Sequence, residues 1–269
     1  MARKGDFRVL SLGLLAVWAS ACGGEPGAQP DVQEISSYAL SANALSANAL
    51  SANALSANAL SANALSANAL SANALSANAL SAKALEDPLA REFLKYVVSC
   101  ALPADQTVNM TIQGKAYSFP GSLGMEPQWG QRGGSCDESC QRWVTACVLA
   151  RVDFLGVERP ISVRGLNPGL RTSFKEALDF PVSEATYFGN VFAPDKPLFA
   201  CLAPGKTTDA RVCGDSMKSC PMQVVGPCAR ACVFEGVFGS FNLCSTSGKA
   251  LRPETYAESV TVFLPKSDM

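Results

Sequence analysis

The chain has 269 residues, 48% hydrophobic and 17% charged, with 22 Lys and Arg, 23 Asp and Glu, and no histidine. That length suits one or two domains. The missing histidine excludes Ser-His-Asp and Cys-His catalysis and most catalytic zinc sites, and the balanced charge argues against a nucleic-acid partner.

The chain opens with Arg3, Lys4 and Arg8, then an apolar run from Val9 to Trp18 broken only by Ser11 and Gly13. The run is about half as long as a bilayer-spanning helix needs, so residues 1–21 read as an export signal. Two processing readings compete. Ala19-Ser20-Ala21 fits an ordinary A-x-A site, whereas Ala19-Ser20-Ala21-Cys22 fits a bacterial lipobox with Cys22 lipidated, although alanine stands where leucine is usual. Cysteine arithmetic favours the lipobox. Of eleven cysteines, giving Cys22 to a lipid leaves ten that can pair completely. Several acyl chains make a durable anchor, at about 0.8 kcal/mol per buried methylene. Gly23 follows instead of the aspartate that marks inner-membrane retention, so similarity to bacterial lipoproteins implies the outer membrane, facing the cell surface or the periplasm. After cleavage the mature chain keeps 19 cations and 22 acids, a net charge of −3 too small to imply a charged partner.

A short linker, 22–35, leads into a spacer at 36–85. Eight identical copies of Ser-Ala-Asn-Ala-Leu fill residues 41–80, between worn copies at 36–40 and 81–85. Three readings compete. A pentapeptide solenoid shares only the period, because asparagine stands where that fold wants a small inward residue, and fifty residues make few coils. In a helix each five-residue step turns about 140° net, so the leucines spiral round all sides and no stripe forms to dock. The favoured reading is a low-complexity spacer with some helical content. Its reach is roughly 75 Å as a helix or about 40 Å as a coil.

Residues 86–269 are the folded part, one domain by size. They carry Cys100, Cys136, Cys140, Cys147, Cys201, Cys213, Cys220, Cys228, Cys232 and Cys244. Behind an export signal this density predicts a disulfide framework of five bridges, worth about 2–4 kcal/mol each. Connectivity stays open, since ten cysteines allow on the order of a thousand pairings. Asp87-Pro88 opens a helix running to about Cys100, with Leu89, Phe93, Leu94 and Val97 at helical spacing. Val108, Met110 and Ile112 alternate with polar residues, Gln113-Gly114-Lys115 turns the chain, and Tyr117 and Phe119 continue a hairpin. Ser135 and Glu138 suggest a capping box for a helix carrying Cys140, Trp143, Val144, Cys147, Val148, Val152 and Leu155, ended by Gly156. Strands are expected around Ile161 and Val163 and from Ser259 to Leu264, and a short helix from Ser173 to Asp179. Only short strands and loops can be read between Phe192 and Pro253. The fold class expected is α+β: a small, disulfide-rich single domain with two main helices and short antiparallel strands, preceded by a low-complexity spacer.

Several clusters carry a chemical reading beside a structural one. Cys136, Cys140 and Cys147 share a helix face with Trp143. They could ligate a metal or form a redox centre, but exported thiols oxidise and bridges are favoured. Cys228-x3-Cys232 repeats the spacing of Cys136-x3-Cys140, so two facing helices stapled twice is one arrangement. Gly205-Lys206-Thr207 echoes a phosphate-binding loop but has Ala200 where glycine is required. Glu176, Asp179 and Glu184 are the nearest approach to a carboxylate cluster for histidine-free hydrolysis, with solvated acids the plainer reading. Tyr187-Phe188-Gly189-Asn190-Val191-Phe192 gathers aromatics about a turn, for a ligand site or, more simply, a core.

Five phrases resemble a family of uncharacterised cysteine-rich lipoproteins frequent in myxobacterial genomes. They are Val98-Ser99-Cys100-Ala101-Leu102-Pro103, Phe119-Pro120-Gly121-Ser122-Leu123-Gly124, Trp143-Val144-Thr145-Ala146-Cys147-Val148-Leu149-Ala150-Arg151-Val152, Ile161-Ser162-Val163-Arg164-Gly165 and Phe188-Gly189-Asn190-Val191-Phe192. The likeness covers most of 90–235, excludes the spacer, and implies location rather than chemistry. The expectation is an envelope lipoprotein whose domain binds, adheres or builds structure. It is held to the membrane by its lipid and faces an envelope polymer or surface protein, with no cofactor, no metal and no catalytic set. The alternatives are a carboxylate hydrolase and a ligand carrier or sensor.

Overall fold

The computed structural model describes residues 44–47, 83–153, 159–195, 197–206, 213, 220, 222–236, 238–248, 250 and 255–268. Cys22 and most of the spacer lie outside them.

Helix α1 (Pro88–Ala101) starts where the sequence places it. Asp87 Oδ1 accepts the Leu89 amide at 2.9 Å, and Pro88 fits the first turn, where its missing N–H costs nothing. Leu85, from the last worn spacer copy, is already buried in the core. Strands β2 (Thr107–Ile112) and β3 (Lys115–Pro120) form the expected hairpin. Ile112 faces Lys115, and both intervening residues, Gln113 and Gly114, have positive φ (50° and 78°), the twist that two-residue hairpins favour.

Helix α2 (Glu138–Ala150) differs from expectation at both ends. Asp137, not Ser135, is the cap, accepting the Cys140 amide at 2.9 Å. The helix stops at Ala150, and Arg151 turns inward to donate to Ser99 Oγ at 2.8 Å with its guanidinium over Tyr96. Burial brings the Arg151 pKa down to about 10. Leu155 and Gly156 lie outside the described residues.

The remaining strands are β4 (Arg159–Arg164), β5 (Val182–Gly189), β6 (Leu198–Leu202), β7 (Gln223–Pro227), β8 (Val233–Phe234), β9 (Phe241–Asn242), β10 (Cys244–Ser245), β11 (Thr255–Tyr256) and β12 (Ser259–Leu264). Helices α3 (Phe174–Asp179), capped by Ser173, and α4 (Cys228–Ala231) are short. One spacer stretch, β1 (Ala44–Ala47), is an extended strand rather than helix, and it lies antiparallel on the outer edge of β4. The main sheet runs β1-β4-β12-β5-β6-β7, antiparallel except for β6 and β7.

Both faces of this sheet are covered. Ile161, Val163, Ala185, Tyr187, Val260 and Val262 join Val144, Val148 and Leu149 of α2 and the apolar side of α1 in the larger core. On the opposite face Phe188 packs with Cys201, Cys228, Ala231, Cys232, Phe241 and Cys244. There Thr261 Oγ1 lies 2.9 Å from Thr186 Oγ1 and accepts the Phe241 amide, also at 2.9 Å.

Five disulfides close the framework: Cys100–Cys147, Cys136–Cys140, Cys201–Cys228, Cys213–Cys220 and Cys232–Cys244. The first pins α1 to α2. The double staple between Cys136-x3-Cys140 and Cys228-x3-Cys232 is not formed: the first pair closes on itself, and the second sends its sulfurs to β6 and β10. The domain is thus a small, disulfide-rich α+β unit. The bridges indicate an extracellular or periplasmic location. No helix among the described residues is long and apolar enough to cross a membrane.

Candidate functional site

Residues 121–126 have little regular structure, yet their backbone is fixed. After α1 ends, its last carbonyls lack helical partners. The amides of Ser122 and Gly124 bond to Leu102 O, Leu123 to Ser99 O, Met125 to Cys100 O and Glu126 to Ala101 O, at 2.7–3.1 Å. Gly121 is required at the start of this run, because a Cβ there would sit 2.3 Å from Pro103 O. The chain is thereby laid against the helix end and delivers Glu126 beside the N-terminus of α2.

An open cleft of about 750 Å³ lies between this segment, the first turns of α2 and the loop 167–171. Leu123, Met125 and half-buried Trp143 supply apolar surface, and Glu126, Gln128, Asp137, Ser139, Asn167 and Arg171 supply polar groups. The loop is set by Asn167, whose side chain donates to Met125 O at 3.3 Å and accepts the Gly169 amide at 2.8 Å. The Cys136–Cys140 bridge closes the first turn of α2, and Asp137 spends one oxygen as its cap.

Glu126 is the unusual group. It is only 7% exposed, and its carboxylate accepts from the Gln128 amide. Burial pushes its pKa up, and neighbouring Asp137 and Glu258 push the same way, while hydrogen bonds from Gln128 and Asn167 pull it down. Glu258 is itself engaged by Ser139 Oγ at 2.8 Å and lies 3.8 Å from Arg142. A cleft lined by a carboxyl, side-chain amides and an indole offers hydrogen-bonding groups for hydroxyls and an aromatic surface for the carbons that carry them.

The residues singled out from sequence lie elsewhere. Glu176 is buried and accepts the Ser162 hydroxyl at 2.8 Å. Ser162 in turn accepts from Arg164 Nε at 3.0 Å. Asp179 pairs with Lys175 on the surface, and Glu184 is buried in β5. None of the three lines the cleft. Tyr187 and Phe188 are fully buried strand residues, one on each face of the sheet, so a filled core occupies the place where an aromatic ligand site was considered; the turn begins only after Gly189. Lys206 follows a tight turn after β6 and lines no part of the cleft, while Thr207 is outside the described residues.

One sulfur cluster has metal-like spacing. The sulfurs of Cys201, Cys232 and Cys244 lie within 4.8 Å of one another, with Cys201 and Cys232 3.4 Å apart. All three are in bridges, and a soft metal needs thiolates, so the oxidised cluster serves as crosslink.

Glu126 escaped the sequence reading because Met125-Glu126-Pro127-Gln128 has no period. The one available signal was an acid between apolar residues in a Gly- and Pro-rich loop, where binding groups often sit. Neither a known protein family nor a curated protein nor a solved structure matches this chain.

Proposed function

We propose that the protein is an exported lipoprotein of the bacterial envelope. Cys22 carries its lipid, and its disulfide-locked domain binds a hydroxyl-rich ligand, such as an envelope polysaccharide, in the Glu126–Trp143 cleft. The single observation that supports ligand binding is the open cleft lined by both a buried carboxyl, Glu126, and a half-buried indole, Trp143. The export leader, the lipobox-like Ala19-Ser20-Ala21-Cys22 and the likeness to myxobacterial cysteine-rich lipoproteins support the location. Near-neutral charge suits an uncharged polymer rather than nucleic acid.

Titrating the mature protein against envelope polysaccharides and peptidoglycan fragments tests the cleft. Trp143→Ala should weaken the binding at least tenfold and Glu126→Gln more mildly; equal affinity in both variants removes the proposal. The intact mass of the mature protein tests the anchor, which an unmodified N-terminal Cys22 would remove. A second reading, hydrolysis, is favoured by one observation only: burial, with Asp137 nearby, raises the pKa of Glu126. In that case Glu126→Gln abolishes product release from the same polymers and leaves binding in place.

A further inference from the structure

The tetrapeptide of β1, Ala44-Leu45-Ser46-Ala47, is not unique. The same four residues recur every five positions, nine times in all, the first copy at 39–42 and the last at 79–82. β1 pairs with β4 in one register, Ala44 opposite Ser162 and Ala47 opposite Arg159. Without it β4 is an edge strand, and an edge leaves backbone N–H and C=O groups unpaired. Pro160, which has no N–H to give, is suited to such an edge. The bracketing asparagines, Asn43 and Asn48, disfavour strand, which accounts for a strand of four residues.

We propose that the edge of β4 is a docking site for the chain's own spacer and that its tetrapeptide copies are interchangeable occupants. Moving the chain by one repeat presents the same residues to the same partners, so strand pairing does not distinguish the copies. Loop closure distinguishes them weakly. The loop from the docked strand to buried Leu85 holds 37 residues for 44–47 and 12 for 69–72. Closure probability falls roughly as the −3/2 power of loop length, so the two registers differ by about fivefold. No copy is selected outright. The length of chain ahead of the docked copy therefore changes in steps of five residues, and the domain takes in or pays out its own tether. The site belongs to the same chain, because a linked segment has an effective concentration of about millimolar.

Hydrogen exchange of the intact protein tests this, read at the backbone amides of Arg159, Ile161 and Ser162, with 259–264 as internal control. In the parent chain 159–162 should exchange slowly. Leu45→Pro with Ser46→Pro, which spoils one copy, should leave that rate within twofold. Proline at the leucine and serine of all nine copies should raise it at least tenfold while 259–264 stays unchanged. If the single-copy variant loses as much protection as the nine-copy variant, one unique strand docks and interchange is wrong. If the nine-copy variant loses none, the spacer does not cover the edge. Protection should also hold on hundredfold dilution; loss there would mean that another chain supplies the strand, which overturns docking in cis.

Discussion

The two faces of the main sheet are closed by different means. Over one face α1 and α2 bring long apolar sides, and a single bridge, Cys100–Cys147, fastens them to each other. Over the other face lie β8, β9 and β10, each only two residues long, and a one-turn helix, α4. Such pieces bury too little to hold themselves in place. There Cys201–Cys228 and Cys232–Cys244 crosslink the cover, and Phe188, Phe199 and Tyr256 pack with ring centroids 5.5–5.9 Å apart. Relative to the size of the core they close, covalent links are thus densest where secondary structure is shortest, as expected where a core is too small to stand alone.

Removing bridges separates the two faces. Cys100→Ala with Cys147→Ala opens a 47-residue loop and should cost about 4 kcal/mol, with one cooperative thermal transition at a lower midpoint, because the helices still bury their apolar sides. Cys232→Ala with Cys244→Ala opens a loop of only 12 residues and should cost about 3 kcal/mol. Its effect should be local: amides of β8–β10 should lose exchange protection while α2 and β12 keep theirs. A uniform loss across the domain would show that the second face is no less self-supporting than the first.

Smaller effects sharpen the helical side. Asp137→Ala should cost about 1 kcal/mol in denaturant unfolding, since its side chain accepts the Cys140 amide in the first turn of α2. The smallest change concerns Glu126. Its folded-state pKa is raised, so ionisation opposes folding once the pH passes the unfolded-state value of about 4.3. Glu126→Gln should therefore be more stable than the parent at pH 7, the difference closing as pH falls to about 4. A difference that persists at pH 3.5 would assign the gain to packing instead of charge.

The same contrast explains what the sequence makes legible. The helical face is readable: Asp87-Pro88 announces α1, alternation at Val108, Met110 and Ile112 announces the hairpin, and Val260, Val262 and Leu264 announce β12. Each element is long enough to repeat its period. Two-residue strands have no period, and their partners are chosen by cystines whose pairing no spacing reveals, so the second face is not readable. The start of α2 was misplaced because Ser135 offers a capping pattern, whereas Asp137 binds the amide closer to the bridged turn. The cleft was hidden for a third reason. One wall of it is laid down by the carbonyls of Ser99 to Leu102, which lack helical partners and take the amides of 122–126 instead, a property of the end of α1 and not of the residues that line the site.

Strand order in the sheet has a consequence for biogenesis. β12 follows every other strand along the chain, yet it lies between β4 and β5. Until Ser259–Leu264 is in place, those two ribbons have no common neighbour, and Ile161, Val163 and Tyr187 stay wet on one flank. The central seam closes only when Ser259–Leu264 arrive. All ten bridged cysteines, the last of them Cys244, come earlier in the chain than this strand, so every thiol is available to pair before the sheet has its centre.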